Sequence, residues 1–478
     1  MSNSNLGYFA SPMTQLLLVQ CLDAAISGFL AHGFYFIHWT DDRNAMRVVL
    51  GHALAFFMLA FLEIAARGVP SGLQASFFVY AAYLTTLFTI ITIYRLFFHR
   101  LRRFPGPVWA SITKAYGVYA SRDGKLHEGY NWLLHLGLLF ASIRSSEILH
   151  NAIDSMTQVR GWQSKCAKGN FYATMEYGHQ QVLNPDAITD KTEHRFRRQI
   201  WDKAFKGKAI DAREQPIRDV IHQRLAKVDE LKGQPLNGPS SPRSFHSTSL
   251  QPWLITLSKK LPLADSSDLI EFENLARRLV AQRLKDSEAK EDIIHYFIED
   301  YKSKEPKAFF TQERLECDAQ AILIGAADSS FSLLSFCFHH LILSPGTIDT
   351  LRAELSPFYN CSHREGFANA DLTRSAPFLH AVINETMRLY SPACTNGVKK
   401  TPPEGIALDG TYIPGHVNLI SSIWSFHRSE CYFVRLRDWI PERWTKQPEL
   451  VLDKRAYHPF STGQFETFPL LRWVISEE

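Results

Sequence analysis

Cysteine is scarce in this 478-residue chain: the seven present are scattered, with no C-x-x-C spacing among them. That pattern excludes a disulfide framework and a thiolate zinc site, and it reads as a reduced, cytosol-facing body. Charge of one sign is equally thin. The formal net charge is +4, with no long basic arm, which argues against a dedicated nucleic-acid binder. No internal repeat occurs. The adjacent pair His339–His340 has no H-x-x-x-H companions, so a membrane di-iron hydroxylase or desaturase, which needs several histidine boxes, is set aside. No basic stretch precedes the first apolar segment, and a cleaved signal peptide therefore fits poorly.

Apolar residues are plentiful, at 46% of the chain with 33 phenylalanines. Three mostly apolar stretches, 16–37, 48–66 and 77–94, each approach the length needed to cross a hydrocarbon core. The third carries no charge. The first contains Gln20 and Asp23 and the second His52 and Glu63, so either could instead lie in the interface. Arg95, Arg100, Arg102 and Arg103 follow the third stretch, and basic flanks tend to stay cytoplasmic. Residues 1–103 are expected to be a membrane anchor with up to three spans, and 104–478 a cytosol-facing body.

Phe104-Pro105-Gly106-Pro107 cannot continue a helix and reads as a stiff hinge. Beyond it the periodicity is largely helical. Leu275, Leu279, Val280 and Leu284 are expected on one face of an amphipathic helix, and Ile293, Ile294, Phe297 and Ile298 on another. The longest candidate helix runs over 311–343, with Thr311 as its cap and Pro345 after its end. Short strands are expected at 397–400 and 406–413, around the Asp409-Gly410 turn. Residues 233–252 are crowded with Pro, Gly, Ser and Thr and read as a structureless loop.

Three groups of residues carry chemistry. Glu385 and Arg388 are three apart on an apolar helix, and residues so spaced are neighbours. A solvated surface pair is the commoner meaning of E-x-x-R. With Phe378, Val382, Ile383, Met387 and Leu389 around it, a buried pair seeking a second arginine is favoured. Gly325-Ala326-Ala327-Asp328-Ser329-Ser330 lies midway along the long helix. Small residues admit something flat against the backbone, and an acid beside hydroxyls relays protons; the bland alternative is a close helix crossing. His194-Arg195-Phe196-Arg197-Arg198 is a basic cluster whose ordinary meaning is a solvated face.

Taken in order with Pro441-Glu442-Arg443-Trp444 and Tyr457-His458-Pro459-Phe460-Ser461-Thr462-Gly463, these groups resemble a cytochrome P-450 monooxygenase, in the style of filamentous-fungal secondary metabolism. The resemblance implies a mainly α fold with a small β region, preceded by N-terminal transmembrane segments. It implies haem b, with NADPH electrons delivered by a separate NADPH–P-450 reductase, and an apolar small-molecule substrate that is hydroxylated or epoxidised. It places the protein in a membrane, the endoplasmic reticulum, with the catalytic domain facing the cytosol. Asp328 and Ser329 become the proton-guiding catalytic pair. Gly325, Ala326, Phe460 and Gly463 border the haem, with Arg198 on one propionate and Lys399 as a second propionate contact; His427 and Arg428 lie at the haem edge. Glu385, Arg388 and Arg443 form a structural triad.

One position departs from the family pattern. The cysteine thiolate that holds the iron should come four residues after Gly463, where this chain has Thr467. A thiolate drives O–O cleavage, and a threonine hydroxyl does not ionise near neutrality. No metal ligand is therefore assigned, and the chain is expected to be interrupted before the axial cysteine. The alternative function is a catalytically inactive or mis-spliced P-450-like membrane protein.

Overall fold

The computed structural model describes residues 12–38, 45–113, 115–121, 138–144, 146–161, 163–169, 172, 176–177, 182–185, 187–205, 214–230, 267–286, 292–358, 375–392 and 397–461. The loop expected over 233–252, Gly463 and Thr467 lie outside the described residues. Asp328 is described in its backbone alone.

Three helices open the chain: α1 (Pro12–Phe34), α2 (Ala45–Arg67) and α3 (Val69–Ile93). At 23, 23 and 25 residues they measure roughly 35 Å or more, enough for a hydrocarbon core of about 30 Å. They start earlier than expected because polar residues such as Gln74 are tolerated mid-helix. They pack together, α1 and α2 each against α3. Gly28 permits this: a β-carbon there would sit 2.6 Å from the Tyr83 carbonyl oxygen. A fourth stretch, 312–343, also meets the length and hydropathy of a span.

The polar residues inside α1 and α2 are paired across the bundle. Glu63 Oε1 accepts from Gln20 Nε2 at 2.7 Å, and Arg67 Nη2 donates to Gln20 Oε1 at 2.6 Å. Arg67 Nε also lies 2.7 Å from Glu63 Oε2. Polar groups so paired glue apolar helices together, which gives Gln20 and Glu63 a packing role.

The expected hinge is tied down. Ser142 N–H donates to the Pro105 carbonyl at 2.7 Å, Phe104 is buried, and Gly106 abuts the Ser142 backbone so closely that a β-carbon would clash. Arg100 Nη1 donates to the Gly415 carbonyl at 2.6 Å, and Arg103 donates to that of Tyr412. Two of the basic residues expected merely to flank a span thus bind the end of the N-terminal helices to the body.

The body is helical around a small sheet of order β1-β2-β9-β6-β3. Its strands are β1 (Phe140–Arg144), β2 (Glu147–His150), β3 (Ala167–Lys168), β6 (Val398–Lys400) and β9 (Asn418–Ile420). Two hairpins accompany it, β4 (Glu176–Tyr177) with β5 (Val182–Leu183), and β7 (Ile406–Leu408) with β8 (Thr411–Ile413). The second turns on Asp409-Gly410, both at positive φ. The principal helices are α4 (Lys191–Ala204), α5 (Ser267–Lys285), α6 (His295–Lys302), α7 (Gln312–Leu323), α8 (Ser329–Leu343), α9 (Pro345–Leu355) and α10 (Pro377–Leu389).

A core of Trp201, Val280, Phe297, Phe309 and Leu315 joins α4, α5, α6 and α7. Phe297 and Ile298 are buried as expected, with Ile293 and Ile294 packed beside them. On α5 the buried residues are Ala276 and Val280, whereas Leu275 and Leu279 are exposed. A small alanine four residues before Val280 lies on the same face, and a count of large apolar residues passes it over. Thr311 takes the N-cap position of α7, yet its side chain makes no cap bond.

Candidate functional site: a buried arginine framework and a cationic cluster

Helix α10 forms because apolar residues recur on one face and Pro377 begins it, a position where a missing donor costs nothing. Its last turns bury Glu385 and Arg388 completely. Arg388 Nε and Nη2 donate to the two carboxylate oxygens of Glu385 at 2.9 and 2.8 Å. Arg443 Nε shares the same oxygens at 3.1 Å each. Trp444 Nε1 and the Ile440 N–H add bonds at 3.0 and 2.9 Å. The remaining guanidinium donors reach carbonyls of His427, Leu436 and Asp438 from Arg388, and of Val434, Arg435 and Leu450 from Arg443. One carboxylate thereby fixes the path of residues 427–450, which carries no long regular element.

That path delivers residues 457–461. Tyr457 stacks on His427 at 5.3 Å and its hydroxyl donates to Asn384 Oδ1 at 2.9 Å. His427 Nε2 accepts from the His458 N–H at 3.2 Å. Burial pushes both imidazoles down, His458 to about 4, so both are neutral near pH 7. His427 is thus a brace beneath the turn holding Phe460. Arg428 donates to the Leu389 carbonyl and lies over Trp424.

The long helix does not run unbroken. Between α7 and α8 the segment Ile324–Asp328 is a π-helical turn, an insertion that widens the backbone and recurs at functional sites. It contains Gly325 and Ala326. The Ser329 hydroxyl donates to the Gly325 carbonyl four residues back, so its proton is held within the widened turn.

On α4, neighbouring arginines have different fates. Arg197 is fully buried and paired with Asp318 of α7, whose other oxygen accepts from Trp201 Nε1 at 2.8 Å. This Asp318-centred link between α4 and α7 is not legible from the basic cluster; its signal is an acid set between Cys317 and Ala319, both buried. Arg198 is half-exposed and bonds Asp202 at 2.7 Å, one turn along.

Lys399 sits in a more pointed environment. Strand pairing places Lys168 directly opposite it, and both are buried. Like charges facing each other across a strand pair are destabilising. Arg160 is buried as well, its Nη2 donating to the Gly397 carbonyl at 2.7 Å. Burial, then Arg160 and Lys168, pull Lys399 down from 10.5 to about 7. Burial, then Lys168, Arg198 and Lys399, pull His194 to about 4. Arg160, Lys168, His194, Arg198 and Lys399 therefore converge from α4, the sheet and residue 160 upon one region. Lys168 Nζ donates to the Pro185 carbonyl at 3.1 Å, and an anion placed among these cations would lower the energy that their mutual repulsion raises. The donor chemistry fits the acidic edge of a haem, which Lys399, Arg160 and Lys168 would hold, with Arg198 alongside. The sequence alone singles out the His194–Arg198 cluster and Lys399 but not Arg160 or Lys168, which are distant from Lys399 in sequence and reach it only through the fold of the sheet.

A family model for cytochrome P450 matches residues 243–464. Curated relatives align with most of the chain. The cytochrome P450 monooxygenase FCK2 of Fusarium pseudograminearum is 27% identical over 92% of this chain and 86% of its own length. The cytochrome P450 monooxygenase sthD of Phaeosphaeria nodorum is 28% identical over 82% and 87%. The tryprostatin B 6-hydroxylase of Neosartorya fischeri is 28% identical over 80% and 75%. Residues 243–464 thus match the cytochrome P450 family, whose members are oxidoreductases that carry haem b and draw electrons from a separate reductase.

Proposed function

We propose that the chain is a membrane-anchored monooxygenase scaffold for an apolar small molecule of fungal secondary metabolism, hydroxylated or epoxidised with NADPH electrons relayed by NADPH–P-450 reductase. Residues 1–103 form the anchor and 104–478 the haem domain, which faces the cytosol from the endoplasmic reticulum. When bound, the haem of this family supplies oxygen activation. The chain's own residues position it. Lys399, Arg160 and Lys168 hold its acidic edge, Arg198 closes that edge, and the Gly325–Ala326 backbone lies against its face. Ser329 and Asp328 would guide protons beside the widened turn, while Phe460 and Gly463 would border the haem. Glu385, Arg388 and Arg443 keep that framework in register. The single observation that carries this reading is the convergence of buried cations on Lys399.

A second reading rests on Thr467. A chain with threonine at the axial position holds the porphyrin without completing the family's chemistry. Reduced, carbon monoxide-treated full-length protein reconstituted with haem separates the two. A thiolate-type carbonyl band supports the first reading, and bound haem lacking that band supports the second.

A further inference from the structure

The three-helix bundle contains a cleft of about 410 Å³ between α1, α2 and α3, within the size range of small-molecule sites. Gly51 and Ala55 of α2 leave the room. The polar atoms at its wall share one property. The Val48 carbonyl can only accept, so His52 Nδ1, 2.8 Å away, carries the ring proton. His52 Nε2 is then an acceptor, and the Tyr83 hydroxyl at 3.2 Å must donate to it. The Tyr80 hydroxyl donates to the His52 carbonyl at 2.9 Å, and Ser27 Oγ to the Asp23 carbonyl at 2.8 Å. All three hydroxyl groups, from α1 and α3, have committed their protons within the bundle. What each retains is an oxygen lone pair.

An apolar cleft whose polar atoms are acceptors only selects an apolar ligand that brings a donor. We propose that this cleft binds a hydrophobic alcohol, its hydroxyl proton given to Tyr83 or Ser27 and its hydrocarbon body lying along Gly51 and Ala55. The site lies in the anchor and is separate from the haem region. It rests on the reading of α1–α3 as membrane-embedded, where an unmet acceptor has no water to turn to. Sterols and linear fatty alcohols share the required chemistry, and the body of the ligand distinguishes them.

The test uses the full chain in phosphatidylcholine nanodiscs with a diazirine-bearing cholesterol analogue whose 3-hydroxyl is free. Wild-type protein should be labelled on α2 or α3. Cholesterol should compete about tenfold better than its 3-methyl ether, one hydrogen bond's worth of affinity. Hexadecanol competing in place of cholesterol assigns the site to linear alcohols. A β-carbon at Gly51 or at Gly33 meets nothing within 4 Å, so both positions accept side chains without clash. Gly51→Leu should lose labelling about tenfold, and Gly33→Leu, outside the cleft lining, should keep it. Tyr83→Phe should erase the preference for alcohol over ether. Equal competition by alcohol and ether, or full labelling of Gly51→Leu, overturns the site. Alkaline carbonate extraction tests the membrane reading separately, and a chain that is extracted overturns both.

Discussion

Two glutamates in this chain are each held by an arginine one helical turn away, and they do different work. Glu385 sits in the body with Arg388 at i+3, and Glu63 in the N-terminal bundle with Arg67 at i+4. Around Glu385 two arginines, an indole and a backbone N–H converge, and both guanidinium groups spend their other donors on carbonyls of 427–450. Around Glu63 the network is smaller, with Gln20 as the partner from α1. The first holds an irregular path that has no ladder of its own. The second adds register to helices that already satisfy their own backbones. A buried ion pair matters most where nothing else specifies the chain, and its removal leaves uncompensated charge.

The contrast can be broken in a graded way. Glu385→Ala strands two buried guanidinium groups and should cost about 3–5 kcal/mol, read as loss of a cooperative thermal transition. Were this variant to melt like wild type, the framework would not depend on its carboxylate. Asp318→Ala leaves Arg197 buried and Trp201 unpartnered, with an expected cost of about 3 kcal/mol, measured in the same way. Glu63→Gln should cost only about 1 kcal/mol, since polar contacts between apolar helices are worth about that much. Cross-linking between cysteines placed on α1 and α2 reads it. An effect on Glu63→Gln equal to that on Glu385→Ala would erase the distinction.

Protonation sharpens a second comparison, between Lys399 and Arg198. Lys399 titrates at about 7 in the folded chain, against its ordinary 10.5. Between these values the unfolded chain binds more protons, so stability rises with pH from about 7 to 10.5. Below about 7 the burial cost is fully present. Lys399→Met should flatten that rise in a pH series of denaturation midpoints, and Arg198→Ala should leave it nearly unchanged. His194 and His458, both near 4, add a separate rise in stability between about 4 and 6.5.

Much of this was legible in the sequence where the signal is local. E-x-x-R on an apolar helix, the small-residue run before Ser329, and the Asp409-Gly410 hairpin each announce themselves within ten residues. What stayed hidden depends on distance. Lys168 faces Lys399 only because β3 and β6 pair across more than two hundred residues. Arg197, not its neighbour, turns inward because Asp318 waits on α7. The π-helical turn at Ile324–Asp328 interrupts a stretch whose apolar pattern reads as one continuous helix. Gln20 and Glu63 look like flaws in two apolar stretches until each is seen to be the other's partner. The proline segment at 104–107 looks like a hinge until Ser142 is found holding it.

The claim with most resting on it is that the cations around Lys399 are a seat for the two acidic arms of a porphyrin. Metal-free protoporphyrin IX and its dimethyl ester, titrated into full-length protein by fluorescence below pH 7, test this without involving the axial position. The expected result is diacid binding at least about tenfold tighter than the diester, as one charge-assisted bond of 1.5–3 kcal/mol implies, with the preference lost in Lys399→Met. Equal affinity for diacid and diester would contradict it.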